Sequence, residues 1–321
     1  MKIKELYNAD IQKYNELAMT YGIIFNTINW TRTCKKGIQH YGIYNEGDEL
    51  IGGFLIFKEN KFGMSIYRNP SFTPSIGPFL KIDAKNLSNI ASTWKEAISL
   101  MADFFDKLPY SIISFSLNIY VVDAQPYIWR KFKVVPSYTY VLDLTLSVED
   151  LWKRMTNERR KNVVKGEKDG LTVRKLEDLH VIKSLVNNTF LRQKMKFNGD
   201  CLDNILFEFA SSDNSFAFGT YFKEDPIACA FCIYDRHTAY YILGGYDSEN
   251  KHHGAGALAM WNAIKYAKDL GLKYFDFEGS MIPQIERYFR GFGGRLTPYY
   301  RINKARLPLE ILLKFFKRDL F

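Results

Sequence analysis

Tyr240-Tyr241-Ile242-Leu243-Gly244-Gly245-Tyr246-Asp247 is an apolar run that closes on two glycines, and Lys251-His252-His253-Gly254-Ala255-Gly256 leads from it into an amphipathic segment, Ala257 to Leu270. Residues of these types at this spacing suit the holding of phosphate. Glycine lets the backbone approach an anion, successive N–H groups can point into one concavity, and a helix start presents the positive end of its dipole. Lys251 adds a full charge, and His252 and His253 are further donors in the same loop. A phosphate-bearing donor is therefore the leading substrate class. Adjacent histidines on a loop lack the spacing and carboxylate company of a ligand set, so no metal is expected.

The elements that must position this loop sit in a chain of 321 residues with 47% hydrophobic and 25% charged residues, which is globular composition with room for two domains. Its formal charge of +9 is uneven. Between Lys153 and Lys175 nine Lys/Arg face three Asp/Glu, and between Arg287 and Arg318 nine face one. Such clusters favour nucleotide phosphates, RNA or an anionic lipid surface, with solvated helix faces as the alternative. No basic-then-apolar leader follows Met1 and no apolar run reaches bilayer length, so a cytoplasmic chain is expected. Cys229-Ala230-Phe231-Cys232 matches C-x-x-C, yet it lies in a strand pattern with no second pair, and buried inert thiols are expected.

The first half reads as a helix around Ile11 to Tyr21, a meander from Gly42 to Tyr67, a helix from Leu87 to Leu108, and strands at Ser111 to Ser116 and Tyr138 to Leu142. The second half repeats the plan. A basic helical run from Val148 to Lys168 stops at Asp169-Gly170, helices cover Leu179 to Met195 and Leu202 to Ser211, and a hairpin and strand lead to the Gly-loop. Beyond it come a helix, the strand Tyr274 to Glu278, a short helix around Pro283 to Arg290 and the strand Leu296 to Ile302. The order predicts two copies of one α+β domain, at 1–146 and 147–303, with 304–321 as an amphipathic helix. That tail interleaves apolar and basic residues, so it either packs on the first domain, the favoured outcome, or lies at a membrane surface.

The second-half order, with Lys251-x-x-Gly254-x-Gly256 between the fourth strand and the next helix, resembles the GNAT N-acyltransferase fold. Three blocks narrow the likeness to the Fem-type peptidyltransferases, which are built of two tandem GNAT-like domains. Arg160 to Gly170 is similar to their R-x-N-I-x-K-A-x-K-x-G helix. Tyr274-Phe275-Asp276-Phe277-Glu278-Gly279 and Tyr288-Phe289-Arg290-Gly291-Phe292-Gly293-Gly294 resemble their Y-F-D-F-G-G and F-K-x-G-F-G-G blocks, with Glu278 where Gly is usual. The resemblance implies mixed, mostly antiparallel sheets flanked by helices, with the donor site in the second domain and the first on the acceptor side. It implies transfer of an acyl or aminoacyl group to an amine of a cell-envelope precursor or metabolite, from acyl-CoA or, next, aminoacyl-tRNA. A non-catalytic nucleotide- or RNA-binding module of the same fold is the alternative.

The same resemblance distributes the roles. Leu243, Gly244 and Gly245 would wall the acyl group with backbone N–H groups, unless the glycines only end a strand. Lys251, His252, His253, Gly254, Ala255 and Gly256 would hold the donor phosphate. Glu278 would accept the amine proton, or else pair with Arg287 or Arg290. Arg290 would stabilise the oxyanion or a donor phosphate, and Tyr288 would protonate the leaving group or simply pack. Arg159, Arg160 and Lys165 would meet acceptor phosphates or tRNA, or be solvated charge.

Overall fold

The computed structural model describes every residue except Asn8, Lys35, Met195, Lys196, Ser248, Asn250, Lys251 and Ser280. The chain opens with β1 (Lys2–Glu5), α1 (Ala9–Tyr21) and α2 (Ile28–Thr31), then β2 (Ile38–Tyr44), β3 (Leu50–Lys61), β4 (Met64–Arg68) and β5 (Phe79–Leu80). α3 (Leu87–Lys107), β6 (Ile112–Ser116) and α4 (Gln125–Trp129) follow, and β7 (Lys133–Asp143) leads to α5 (Val148–Arg154), α6 (Asn157–Lys168) and β8 (Leu171–Lys175). Next come α7 (Leu179–Arg192), α8 (Gly199–Asn204), β9 (Ser215–Phe222), β10 (Asp225–Tyr234) and β11 (Thr238–Tyr246). α9 (Ala255–Asp269), β12 (Tyr274–Asp276), α10 (Pro283–Arg290), β13 (Arg295–Ala305) and α11 (Leu309–Phe316) complete it.

Two units emerge, Met1–Ser137 with Pro298–Phe321, and Tyr138–Thr297. In the first the strands run β1-β2-β3-β4-β6-β13, antiparallel except for the pair β4 and β6. In the second the order β8-β9-β10-β11-β12-β7 has the same alternation, with β11 and β12 as the parallel pair. Parallel neighbours need a crossover, which α3 supplies in one unit and α9 in the other. The architecture is thus repeated strand for strand.

The unit boundary differs from the expected 146/147. It falls inside β7, because Val141–Asp143 pairs with β12, and the chain returns to the first unit inside β13, because Arg301–Ala305 pairs with β6. Each sheet is closed by a strand that follows the other unit in sequence. The basic run from Val148 is also two helices: Ser147 accepts from the Asp150 N–H to start α5, and Thr156 accepts from the Arg159 N–H to start α6. Two such caps mark two separate starts.

α9 holds the second core together. Leu258, Met260, Trp261 and Ile264 are buried there, each worth about 1.5–3 kcal/mol, and its alanines let the helix lie close to the sheet. Cys201, Cys229 and Cys232 are buried and Cys34 is half-buried, none of them in a disulfide. Burial pushes Cys229 up to about 12 and raises Cys232 as well. α11 belongs to the first unit, yet none of its residues is buried, and Ile311, Leu312, Phe315 and Phe316 stand exposed. A helix apolar around most of its circumference cannot cover every face against one neighbour.

Candidate functional site

β11 outruns β12. Parallel pairing joins Thr238, Ala239 and Tyr240 to Tyr274, Phe275 and Asp276 and then stops. From Tyr241 to Tyr246 β11 pairs only with β10, so its other edge carries backbone groups without a strand partner. A bulge at Ile242, where Phe231 pairs with Leu243 but Cys232 with Tyr241, brings Tyr241 and Gly244 onto one face.

The glycines here serve purposes other than anion approach. A Cβ at Gly244 would lie 1.7 Å from the Tyr241 hydroxyl, and one at Gly245 would meet Leu185 Cβ at 2.5 Å and Cys229 Sγ at 2.7 Å. Both positions make room for protein atoms. At Gly254 a Cβ would meet the Asn162 carbonyl oxygen at 2.4 Å and the Gly166 nitrogen at 2.9 Å, so this glycine lets α9 touch α6 backbone to backbone. Of the four, Gly256 alone faces space, with the Tyr288 hydroxyl 3.4 Å from its Cβ position.

His252 is scaffold rather than a free donor. Its Nδ1 accepts from the Gly254 N–H at 3.1 Å, its Nε2 lies 2.9 Å from Asp169 Oδ2, and its own N–H donates to the Tyr246 hydroxyl at 2.7 Å. An accepting Nδ1 leaves Nε2–H to donate to Asp169. The Ala255 N–H donates to the His252 carbonyl, so two amides expected to hold phosphate are satisfied within the loop. Among the described residues nothing accepts from the N–H of Gly256 or Ala257, and Gly254 at the N-cap has no capping side chain. The corresponding helix of the first unit is closed: at α3 Asn86 accepts from the N–H of Ser88 and Asn89. His253 is exposed, and Lys251 lies outside the described residues.

An aromatic layer carries the remaining groups. Phe277 stacks on Phe289 and Phe292 with centroids 5.1 Å and 5.5 Å away, and Tyr241 meets Phe289 edge-on at 5.8 Å. Tyr288 packs on Phe289 and Phe292, and its phenol is pushed up to about 12 by burial against an opposing pull from Arg159. The Arg159 guanidinium lies 4.3 Å from the Tyr288 ring centroid. Arg159 is 5% exposed, and its Nε is buried with no hydrogen-bond partner. Neither a solvated charge nor an outward acceptor contact fits that position. A buried cation with an unsatisfied N–H is costly until an anion reaches it.

Glu278 follows the end of β12 at φ 55°, a left-handed conformation that favours the Gly of the related blocks. Its N–H donates to Asp276 Oδ1 at 2.9 Å, the Thr139 hydroxyl donates to the same oxygen at 2.5 Å, and the Gly279 N–H donates to Thr139 at 3.1 Å. Burial, and then the neighbouring Asp276, holds the Glu278 carboxyl well above the usual range; burial raises Asp276 to about 6. The alternative ion pairs do not form. Arg287 pairs with Glu158 at 2.9 Å and Arg290 with Glu286 at 3.0 Å, where Glu286 also accepts from the Tyr140 hydroxyl.

Arg160 and Lys165 face outward. With Lys161, Lys168 and Trp152 they line a surface groove of about 560 Å³, and Lys165 pairs with Asp169 at 2.7 Å. Lys161, Lys168 and Trp152 escaped the sequence reading, although 157, 160, 161, 164, 165 and 168 share one helix face. Tyr241 and Asp276 escaped it too. A bulge leaves no mark in an apolar run, whereas Asp276 two residues before Glu278 was a visible signal. Among the described residues no cluster has the makings of a metal site.

Residues 153–290 match the family model described as an acetyltransferase (GNAT) domain. The structure titled FemX aligns over 98% of this chain and 100% of its own at 13% identity, with a TM-score of 0.67. L-PGS from Bacillus licheniformis aligns over 96% of each chain at 12% identity and a TM-score of 0.54. A tandem GNAT protein from the clavulanic acid biosynthesis pathway covers 94% of this chain and 98% of its own at 9% identity and 0.50. No curated protein matches the sequence. At these identities the structural likenesses speak for the fold, which is the tandem GNAT arrangement.

Proposed function

We propose that this chain, an acyltransferase whose residues 153–290 are a GNAT acetyltransferase domain in a tandem, Fem-like fold, moves an acyl group from acyl-CoA to an amine of a cell-envelope precursor or other metabolite. The contrast between the two crossover helices carries the choice of donor: α3 is capped by its own Asn86, while α9 leaves the Gly256 and Ala257 amides open beside Tyr288. A donor diphosphate would take those two amides, with His253 at the rim, Arg159 behind Tyr288 and the charge of Lys251 contributed from the loop sequence. Arg290 is exposed and held by Glu286, which suits a donor phosphate better than an oxyanion.

The acyl carbonyl would lie along the free edge of β11, polarised by backbone N–H groups around Leu243, Gly244 and Gly245. The amine nitrogen bonds to the acyl carbon while its proton passes to the Glu278 carboxylate. The carbon–sulfur bond breaks, and the departing thiolate takes the Tyr288 hydroxyl proton. The proton on Glu278 returns to Tyr288 through solvent, leaving an amide and a free thiol. Phosphates of the acceptor would lie in the groove of Arg160, Lys161, Lys165 and Lys168. An envelope acceptor would bring this cytoplasmic chemistry to the inner face of a membrane.

The same groove, with Trp152 as a stacking surface, favours aminoacyl-tRNA as the second donor reading. Incubation with labelled acetyl-CoA and an amine panel, and in parallel with charged tRNA, separates the two. The expected result is saturable CoA binding and amide formation that Glu278→Gln abolishes while sparing binding. Label transferred from charged tRNA alone, with a steep loss on added salt, would move the donor to RNA. Donor binding that never leads to transfer would favour the non-catalytic module.

A further inference from the structure

α11 presents its apolar side to water. Leu309 and Leu313 are half-buried, while Ile311 and Leu312 are 52% exposed, Phe315 80% and Phe316 75%; Leu307, just before the helix, is 73% exposed. At roughly 100° per residue, Ile311, Phe315, Leu312 and Phe316 fall on one continuous arc of about 140° that contains no polar residue. Contiguous exposed patches of this kind mark interaction sites. Lys314 borders the arc and pairs with Glu310 at 2.8 Å. Lys317, Arg318 and Asp319 follow the helix, all exposed, so two cations face one acid there, and neither Lys317 nor Arg318 is in an ion pair among the described residues.

We propose that α11 is a docking helix for an anionic lipid surface, with Ile311, Leu312, Phe315 and Phe316 entering the headgroup–acyl boundary and Lys317 and Arg318 meeting lipid phosphates. Charge decides for lipid over a second copy of this chain. A symmetric contact between two α11 faces would set the same cationic rim against itself, whereas anionic headgroups neutralise it. The inference rests on α11 alone and stands apart from the acyl-transfer reading.

Sedimentation of the full chain with vesicles tests it. Mixed phosphatidylglycerol–phosphatidylcholine vesicles should carry the protein down at low ionic strength, and pure phosphatidylcholine vesicles should carry much less. Phe315→Ser with Phe316→Ser, and separately Lys317→Glu with Arg318→Glu, should each weaken binding to the anionic vesicles at least about tenfold. Circular dichroism should match the parent in both variants, since none of the four side chains is buried. Failure of the native chain to sediment with anionic vesicles, or equal sedimentation by either variant, overturns the proposal. So does a vesicle-free dimer, seen by light scattering, that the phenylalanine variant loses.

Discussion

Glu278 occupies a backbone conformation that a glycine would adopt without cost, and burial together with the nearby Asp276 holds its carboxyl well above the usual carboxylate range. Strain and unpaired acidity of order 1–3 kcal/mol persist where surrounding structure holds them, often at reacting centres. A base with a raised pKa is ionised only as pH climbs. The account therefore expects kcat/KM for amine acylation to rise with pH, with a midpoint well above the usual carboxylate range. Asp276→Asn should move that midpoint downward, and Glu278→Gln should cost at least about 100-fold and flatten the profile. An unmoved midpoint in Asp276→Asn would separate the two carboxyls. Stability should run the other way. The folded protein keeps protons that the unfolded chain releases, so stability from these groups is full below pH 4 and falls as pH rises through about 6. Urea unfolding across that window should show the slope, and Asp276→Asn should reduce it. Glu278 stood out in its block as an acid where Gly is usual, whereas Arg159 carried an unread signal: with Val163 and Gly166 it forms the i, i+4, i+7 stripe of α6 that is buried.

The start of α9 is fixed by contact with α6 as much as by its own loop. Gly254 lies against backbone atoms of Asn162 and Gly166, which cannot yield as a side chain end would. Gly254→Ala should push the two helices apart and destabilise the protein by about 2–3 kcal/mol. A denaturant midpoint equal to that of the parent would show that the contact is dispensable. The Gly-loop was readable as a strand-to-helix turn, but its glycines were read for one purpose and serve several. Sequence spacing marks where small residues stand, and only the packed structure tells whether a hydroxyl, a helix or open space lies opposite. Tyr241 shows the same limit, since the bulge at Ile242 that turns it over Gly244 belongs to strand pairing.

At the scale of the whole chain, the two units repeat one strand order and one parallel crossover, and the sequence order of elements already implied as much. The exchange of closing strands was hidden, because β7 and β13 each read as one strand pattern whichever sheet accepts them. The duplication supplies its own control. α3 and α9 occupy equivalent places, yet one start is capped by Asn86 and the other leaves Gly256 and Ala257 open. If that difference marks a donor site, a carboxylate at the open start should repel the donor without unfolding the chain, since Glu is favourable in the first turn of a helix. Calorimetric titration of CoA into the native protein and into Gly256→Glu is the most direct test. The account requires saturable binding at one site in the native protein and at least about tenfold weaker binding in the variant at unchanged melting temperature; equal affinities, or no saturable binding by the native chain, would contradict it.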